Sequence, residues 1–152
     1  MVTGITYGTF DVFHIGHLNL LERIRQKCDY LIVAVSTDEF NKIKGKISFQ
    51  EYSARARIID ALSCVNEVIP EKTWDQKRND ISNLNINKFF MGSDWTGKFD
   101  DLKDIVEVVY LDRTPDVSSS ELRLYFSSTM KNALKDISKA GEELERCIKV
   151  FC

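Results

Sequence analysis

Short apolar runs alternate with amphipathic segments along most of the chain. Five of these runs are rich in β-branched and aromatic residues, and they predict strands over residues 2–7, 30–36, 67–69, 88–92 and 107–111. The segments between them repeat their apolar residues every three to four positions, which predicts helices over residues 18–25, 51–62 and 75–83. This alternation predicts an α/β domain with a Rossmann-like, doubly wound, parallel five-stranded sheet over residues 1–125.

The last segment, residues 126–152, has a different pattern. Its apolar residues and one glycine recur in steps of four and three, as in a heptad repeat: Met130, Leu134, Ile137, Gly141, Leu144, Ile148 and Phe151. The spacing predicts a C-terminal helical extension to the domain. Two roles fit such a helix equally well: it covers the domain, or it binds a second copy or another partner.

The composition is that of an ordinary globular domain. Of the 152 residues, 43% are hydrophobic and 29% are charged, and the net charge is −2. That charge gives no basic field for long nucleic acid, and no apolar stretch approaches the ~18 residues of a membrane-spanning helix. The N-terminus lacks a secretory signal pattern, so we expect a cytoplasmic protein without membrane insertion. The four cysteines are irregularly spaced, which favours reduced thiols.

Residues 7–25, YGTFDVFHIGHLNLLERIR, join the first predicted strand to the first predicted helix. Gly8 and Gly16 let the backbone approach a bound group closely, and the N–H groups at a helix start attract an anion. His14 and His17 are three residues apart, so at the start of a helix both imidazoles face the same side. The pattern predicts a phosphate site.

Other interpretations of the two histidines are open from the residues alone. A single histidine near a helix start is usually structural. A histidine pair can also bind zinc, but the usual helical pair is four residues apart and needs further ligands. The chain has two histidines and its cysteines form no CxxC pair, so a phosphate site is favoured over a metal site.

Residues 41–48, NKIKGKIS, predict a basic loop after the second strand. Thr37, just before this segment, is a typical helix cap. From the residues alone, the three lysines of the loop are best interpreted as a solvated face: Lys42, Lys44 and Lys46.

Several segments together resemble one enzyme family. The sequence GTFD at residues 8–11, followed by HIGH at residues 14–17, is similar to the GTFD…HxGH signature of the cytidylyltransferases in the HxGH nucleotidyltransferase superfamily. The resemblance to the bacterial glycerol-3-phosphate cytidylyltransferases continues in register over about the first 125 residues. The segments that carry it include DYLIVAVSTDEFN, EVIPEKTWDQK, MGSDWTGKFD and EVVYLDRT, and a serine cluster follows them.

The resemblance implies a reaction. A cytidylyl group would pass from CTP to sn-glycerol 3-phosphate, which gives CDP-glycerol and pyrophosphate for teichoic acid or capsular polymers. It also implies a homodimer and a divalent ion, Mg²⁺, on the triphosphate, for which the sequence nominates no protein ligand. Two alternatives stay open: another phosphorylated alcohol such as phosphoethanolamine or phosphocholine, and a catalytically silent nucleotide-binding protein whose function lies in the C-terminal helix.

The family motifs also imply roles for individual residues. Four residues would be catalytic: His14, His17, Lys44 and Arg113. CTP would be bound by Gly8, Thr9, Phe10, His14, Gly16, His17, Lys46, Gly92, Asp94, Arg113, Thr114, Val117, Ser118, Ser119 and Ser120. The phosphorylated alcohol would be bound by Lys44, Lys77 and Trp74.

Four further positions bear on this assignment. Arg55 is similar to a family arginine that is expected to bridge elements beside the site; the alternative is a surface ion pair. Ser63 stands where family members carry an arginine that helps to bind the nucleotide phosphates, so this contact is not implied here. Pro115 and Asp116 replace a Glu-Gly type of pair, a change in the stiffness of the loop before the serines.

Overall fold

A parallel β-sheet forms the centre of the N-terminal part of the chain. The structure, a computed structural model, describes residues 1–112, 114 and 119–151, and in the last helix it describes the side chains of residues 120–143. Within these residues the sheet has the parallel strand order β3-β2-β1-β4-β5. Its strands are β1 Thr3–Gly8, β2 Tyr30–Ser36, β3 Glu67–Glu71, β4 Lys88–Gly92 and β5 Glu107–Leu111. The predicted doubly wound sheet is confirmed.

Helices fill most of the connections. They are α1 Ile15–Arg25, α2 Asp38–Ile43, α3 Tyr52–Asp60, α4 Gln76–Asn83 and, after the sheet, α5 Ser119–Phe151. The connection from β4 to β5 differs from the predicted alternation, because it holds two 3₁₀ turns, Ser93–Trp95 and Asp100–Leu102. Gly97 between these turns has a φ of +82°, which lies outside the right-handed helical region and interrupts any longer helix.

The sheet is covered on both faces, because successive residues of a strand point to opposite sides. On one face Phe89 packs in the same cluster as Ile81 of α4. On the other face its neighbour Phe90 packs with Leu21 of α1 and Ile59 of α3. Burial of side chains of this size is worth roughly 1.5–3 kcal/mol each, so the two cores hold the sheet between the helices.

The strand order places a crevice at the carboxyl ends of β1 and β4. The chain passes from β1 to β2 on one side of the sheet, whereas the neighbour of β1 on the other side is β4. The connections that leave β1 and β4 therefore run in opposite directions. An opening of this kind is where ligands of open α/β sheets bind.

The predicted basic loop is partly helical, which corrects the sequence interpretation. Asn41 and the two residues after it belong to α2. Thr37 caps this helix as predicted, since its side-chain oxygen accepts a hydrogen bond from the N–H of Phe40. Phe40 and Asn41 are each 1% exposed, so a buried anchor lies inside a segment whose charges suggested a solvated loop.

The end of α2 explains the glycine between two lysines. Gly45 has a φ of +70°, a conformation that residues with a side chain seldom adopt. The N–H of Gly45 donates to the carbonyl of Lys42, and the N–H of Lys46 donates to the carbonyl of Asn41. This pair of bonds is the Schellman motif, in which glycine is the favoured residue at the turn out of the helix.

Strand β3 is two residues longer than predicted, because it continues through Pro70 to Glu71. A proline lacks the N–H group that a central strand needs, and for this reason the sequence predicted a strand end before it. β3 lies at an edge of the sheet, where proline is tolerated. The extension places Glu71 at the carboxyl end of the strand, where it is 2% exposed.

Two of the four cysteines lie on described side chains. Cys28 and Cys64 are free thiols, as expected. Burial raises the pKa of both thiols above the ordinary value, which favours the protonated form. The side chain of Cys147 and the whole of Cys152 lie outside the described part of the chain.

Helix α5 belongs to a second unit, because the chain divides into residues 1–117 and 118–152. α5 runs without a break from Ser119 to Phe151, and the boundary predicted between residues 125 and 126 falls inside it. Among the described residues, no helix is both long and apolar enough to cross a lipid bilayer. Whether α5 covers the domain or binds a partner stays a prediction.

Candidate active site at the carboxyl ends of the strands

The turn after β1 has a strained backbone. Phe10 and Val12 both have a φ of 50°, in the left-handed region. Such conformations cost about 1–3 kcal/mol each and persist only where the surroundings hold them. Asp11, which lies between them, fixes the turn. Its buried carboxylate accepts hydrogen bonds from the backbone N–H groups of Phe49 at 2.7 Å and Gln50 at 2.9 Å.

Arg55 ties the same turn to two helices from inside the protein. Its side chain is fully buried. Nη1 donates to the carbonyl of Thr9 at 2.6 Å, Nη2 donates to Oδ1 of Asp38 at 2.7 Å, and Nε donates to the carbonyl of Gln50 at 2.9 Å. Arg55 therefore bridges elements beside the site and is not a surface ion pair.

Two polar side chains link the β1 turn to α2. Thr9 Oγ1 donates to Oδ1 of Asn41 at 3.1 Å, and Nδ2 of Asn41 donates to Oγ of Ser48 at 2.7 Å. A buried amide is stable where it is hydrogen-bonded, and Asn41 meets that condition. The turn predicted to bind CTP is thus held against the segment that carries Lys44.

His14 stands at the start of α1 as its N-cap. Its Nδ1 accepts a hydrogen bond from the backbone N–H of Gly16 at 3.1 Å. A neutral imidazole has one donor and one acceptor nitrogen, so the proton of neutral His14 is on Nε2. The helix start therefore fixes both the position and the tautomer of this ring.

His17 lies within a cluster of rings. Its ring centroid is 3.9 Å from that of His14 in a stacked arrangement, 5.5 Å from that of Phe13, and 5.4 Å from that of Phe10, which meets it edge-on. Its Nδ1 is buried and has no hydrogen-bond partner among the residues that the structure describes. Buried polar atoms normally have hydrogen-bond partners, so an unpaired one is unusual unless a ligand binds beside it.

Both imidazoles are held neutral at pH 7 by their surroundings. Burial and, to a smaller extent, the neighbouring His14 lower the pKa of His17 to about 4, while Asp11 partly opposes this change. Burial also lowers the pKa of His14. Two neutral rings at an anion-binding helix start can each donate one hydrogen bond to a phosphate oxygen.

Two lysines share one carboxylate at the carboxyl ends of β2 and β3. The Nζ atom of Lys77 donates to Oε1 of Glu71 at 2.6 Å, and that of Lys44 lies 3.4 Å from Oε2. Lys44 Nζ also donates to Oγ of Ser36 at 2.8 Å, and this hydroxyl in turn donates to Oε2 of Glu71. Lys77 is 3% exposed, so it is not the lone exposed lysine that its position in the sequence suggests.

Aromatic rings surround the two ammonium groups. Lys44 Nζ lies 4.4 Å from the centroid of the Phe40 ring. Lys77 Nζ lies 4.5 Å from the centroid of the Tyr7 ring and 4.9 Å from that of Trp74. Attraction between a cation and an aromatic face holds such groups in place. Trp74 lies in the connection before α4, which begins at Gln76 rather than at the predicted residue 75.

The end of β4 adds a third segment to this edge. Gly92 ends the strand, and a Cβ atom at this position would lie 2.6 Å from Oδ1 of Asp94, so a larger residue would displace that side chain. Asp94 is exposed in the 3₁₀ turn that follows. The Trp95 ring lies 6.1 Å from that of Trp74, which joins the β4 end to the lysine pair.

The structure brings most of the predicted site residues of the first unit to one edge of the sheet. The β1 turn contacts α2 through Thr9, and Lys77 contacts Tyr7 at the end of β1. Lys46 and Ser63 are exposed, and Thr114 is half-buried. Arg113, Val117 and Ser118, with Pro115 and Asp116, lie outside the described residues, as does the side chain of Ser119; Ser120 is exposed in the first turn of α5. The roles of all these residues stay predictions.

Three buried polar residues of this edge had no role in the sequence interpretation: Asp11, Asn41 and Glu71. Asp11 is part of the GTFD sequence, and that position is the signal that could have revealed it. Asn41 and Glu71 stand in segments that were interpreted as connections. Their burial depends on residues that are distant in the sequence, so no local pattern marks them.

The chain matches the model of the cytidylyltransferase-like family over residues 5–131. It is 55% identical over 119 residues to glycerol-3-phosphate cytidylyltransferase of Bacillus subtilis strain 168, which covers 78% of this chain and 92% of the relative. It is 50% identical over 119 residues to the enzyme of the same name from Staphylococcus aureus strain NCTC 8325, which covers 78% of this chain and 90% of the relative.

Solved structures show the same fold at low sequence identity. The crystal structure of the lipopolysaccharide core biosynthesis protein from Thermoplasma volcanium GSS1 superposes with a TM-score of 0.64 at 22% identity. The match covers 75% of this chain and 98% of that protein. The similarity supports the arrangement of strands and helices described above.

Proposed function

Because the chain belongs to the cytidylyltransferase-like family, we propose that it transfers a cytidylyl group from CTP to sn-glycerol 3-phosphate, producing CDP-glycerol and pyrophosphate. The bacterial relatives described above carry this activity in their names. The observation that carries the proposal is the pairing of two anion sites at one sheet edge. Neutral His14 and His17 form the first, and Lys44 and Lys77 form the second.

The histidine site suits the nucleotide. The α-phosphorus of CTP becomes more crowded with negative charge as a fifth oxygen approaches it, and fixed donors stabilise that charge most. His14 donates through Nε2–H, and the backbone N–H groups at the start of α1 add to the same field. The strained turn at residues 10–12 comes directly before the helix start that carries these donors.

The lysine site suits the phosphate of the alcohol. Two ammonium groups within reach of one carboxylate leave a net positive charge, which attracts a phosphate dianion. The second pKa of a phosphate monoester is about 6, so its oxygen is ionised at neutral pH and needs no general base. That oxygen forms a bond to the α-phosphorus of CTP, while the bond from this phosphorus to the β-phosphate oxygen breaks and pyrophosphate leaves.

The rings near the lysine site disfavour an amino alcohol as substrate. Phosphocholine is recognised where aromatic faces surround an empty position for its quaternary ammonium. Here the faces of Phe40, Tyr7 and Trp74 lie against the ammonium groups of Lys44 and Lys77. A second cation would be repelled, whereas the neutral hydroxyls of glycerol would not.

We also propose that a divalent ion, Mg²⁺, accompanies CTP. Among the described residues no group of three or more His, Cys, Asp or Glu side chains is arranged to hold a metal ion. Mg²⁺ commonly keeps several waters and takes phosphate oxygens as ligands, so the triphosphate itself would hold most of it. When bound, the ion neutralises charge on the phosphates.

The biological setting is part of the same proposal. We place the reaction in the bacterial cytoplasm, in a homodimer, with CDP-glycerol as the donor of glycerol phosphate units for teichoic acid or capsular polymers. The bacterial relatives named for this reaction support the reaction itself. The compartment, the dimer and the polymer are what the family resemblance implies.

Pyrophosphate release tests the proposed reaction. The protein is given Mg²⁺ and CTP, ATP, GTP or UTP, each crossed with glycerol 3-phosphate, phosphoethanolamine, phosphocholine or ribitol 5-phosphate. Release with CTP and glycerol 3-phosphate supports the proposal. Release with CTP and a different alcohol overturns the choice of substrate but not the reaction class, whereas CTP binding without release from any pair favours a silent nucleotide-binding protein.

A further inference from the structure

Glu71 occupies the centre of the lysine site. It is the last residue of β3 and is 2% exposed. Its Oε1 accepts from Lys77 at 2.6 Å, and its Oε2 accepts from the hydroxyl of Ser36 and lies 3.4 Å from Lys44. Every partner that these contacts name is itself mostly buried, with side-chain exposures of 9% for Lys44 and 4% for Lys77.

A buried carboxylate is costly unless it is paired, and here it is paired twice. The two lysines and Glu71 together carry one net positive charge. Without the carboxylate, two ammonium groups would stand close together at low exposure, and the charge of Lys77 would disfavour the charged form of Lys44. The carboxylate therefore holds the two ammonium groups close together before the phosphate binds, and it stabilises their charge.

We propose that Glu71 is a positioning residue for the phosphorylated alcohol, because it holds Lys44 and Lys77 together as a pair of charged donors. The inference rests on the proposed function. The alcohol phosphate approaches the face of the pair that Glu71 does not occupy. Since Lys44 has the longer contact, at 3.4 Å against 2.6 Å, it is the lysine that turns toward the phosphate, while Lys77 stays on the carboxylate.

The charges that face this pair fix the direction of its pH dependence. Glu71 at the end of β3 and Lys46 after α2 both act on Lys44 through their charges. Asp80 of α4 accepts a hydrogen bond from the Tyr7 hydroxyl at 2.8 Å. Burial is the largest cause that lowers the pKa of Lys44. Glu71 opposes this change, whereas the charges of Lys46 and Lys77 add to it. Loss of the carboxylate charge therefore lowers this pKa still more.

Glu71→Gln keeps the shape of the side chain and removes its charge. We expect the KM for glycerol 3-phosphate to rise by at least about tenfold, because a buried ion pair has lost one partner. The KM for CTP should stay within about twofold of the wild type, since this change removes binding at the alcohol site only. As the pH rises, Lys44 of the variant loses its proton at a lower pH than Lys44 of the wild type. The KM for glycerol 3-phosphate should therefore also increase at a lower pH in the variant.

Two further variants separate positioning from general damage. Glu67→Gln makes the same change at the other end of β3, where Glu67 accepts from the Tyr30 hydroxyl at 3.3 Å, and both KM values should stay at the wild-type level. Glu71→Asp keeps the charge but shortens its reach. It should restore the wild-type pH dependence and only part of the affinity. Circular dichroism and the Tm establish that each variant is folded.

A second measurement needs no turnover. The ¹³Cε resonances of labelled lysines report the protonation of each ammonium group, and in Glu71→Gln one lysine should titrate at a lower pH than any does in the wild type. Unchanged lysine titrations overturn the inference. So does a folded Glu71→Gln variant that has wild-type KM values, or one in which the KM values for CTP and glycerol 3-phosphate rise by the same factor.

The two proposals fail in different ways. A folded wild-type protein that releases no pyrophosphate from CTP and glycerol 3-phosphate overturns the proposed function, and with it the role of Glu71 in binding the alcohol. An active wild type with an unaffected Glu71→Gln variant overturns the role of Glu71 alone.

Discussion

The imidazole rings of His14 and His17 stack at a centroid distance of 3.9 Å with an interplanar angle of 26°. Two protonated rings at this distance would repel each other, and the surroundings lower the pKa of both. Before a ligand binds, the pair therefore offers hydrogen-bond donors without charge. We expect a bound triphosphate to favour protonation of the rings, which would couple nucleotide binding to proton uptake.

Replacing either histidine by alanine should lower kcat by about 10²–10³, because each change removes one donor to the charge that develops on the transferred phosphate. Steady-state pyrophosphate release at saturating CTP and glycerol 3-phosphate measures the effect. Glutamine keeps an N–H donor, so His14→Gln and His17→Gln should lose less. A folded His14→Ala or His17→Ala variant with wild-type turnover would sink the assignment of that residue.

The pKa of His17 predicts how stability depends on pH. The folded protein has a pKa of about 4 at this residue against an ordinary value of 6.5, so the unfolded chain binds a proton first as the pH falls. The stability that neutral His17 provides is complete above pH 6.5 and is lost as the pH falls to 4. The difference corresponds to a loss on the order of 3 kcal/mol.

Urea unfolding of the wild type and of His17→Gln between pH 7 and pH 4 checks this expectation. Carboxylates titrate in both proteins and cancel in the comparison. The free energy of unfolding should fall more steeply with decreasing pH in the wild type than in the variant. Parallel curves for the two proteins would contradict the low pKa of His17.

Arg55→Met should destabilise the protein by about 3–5 kcal/mol, because it removes a fully buried guanidinium together with the three hydrogen bonds that it donates. The hydrogen bonds that are lost join Arg55 to Thr9, Asp38 and Gln50. Urea unfolding measures the change. Arg57→Met is the matched control, since Arg57 is exposed on the same helix, and it should alter the free energy of unfolding by less than about 0.5 kcal/mol. Equal effects at the two positions would show that the buried bonds do not matter.

Gly45→Ala should destabilise the protein by about 1 kcal/mol, because the turn out of α2 needs a φ of +70° there. No atom lies within 4 Å of the added Cβ, so the backbone conformation is the cause rather than a clash. At Gly141, inside α5, the space is equally open and the helical backbone favours alanine, so the same substitution should increase helicity in circular dichroism. A stabilising effect of Gly45→Ala in urea unfolding would disprove the strained turn.

The strands could be predicted from the sequence because their apolar residues follow one another without a break. Residues 30–36, 88–92 and 107–111 have the predicted bounds, because most of their side chains pack into the cores on the two faces of the sheet. The prediction failed at Pro70, where the local rule for proline is overridden by the position of β3 at the sheet edge. It also failed at residues 41–43. These residues belong to α2, in which the burial of Phe40 outweighs the charges around it.

The site could be predicted only as far as its motifs reach. His14 and His17 stand in a recognisable sequence, and the structure places them at a helix start as expected. Glu71 could not be predicted, because its contacts with Lys44 and Ser36 join residues 27 and 35 positions apart. The burial of Lys77 is hidden for the same reason, since an isolated lysine in a polar helix is ordinarily exposed.

The buried bond from Arg55 to Thr9 spans 46 residues of the chain. During synthesis the residues of the β1 turn leave the ribosome before α3, which carries Arg55. Until that helix docks, the strained turn lacks the buried hydrogen bond that Arg55 donates to the carbonyl of Thr9. The part of the candidate site that carries the two histidines is therefore synthesised early and completed late. A chain that stops before residue 55 would contain both histidines but lack the arginine that fixes their turn.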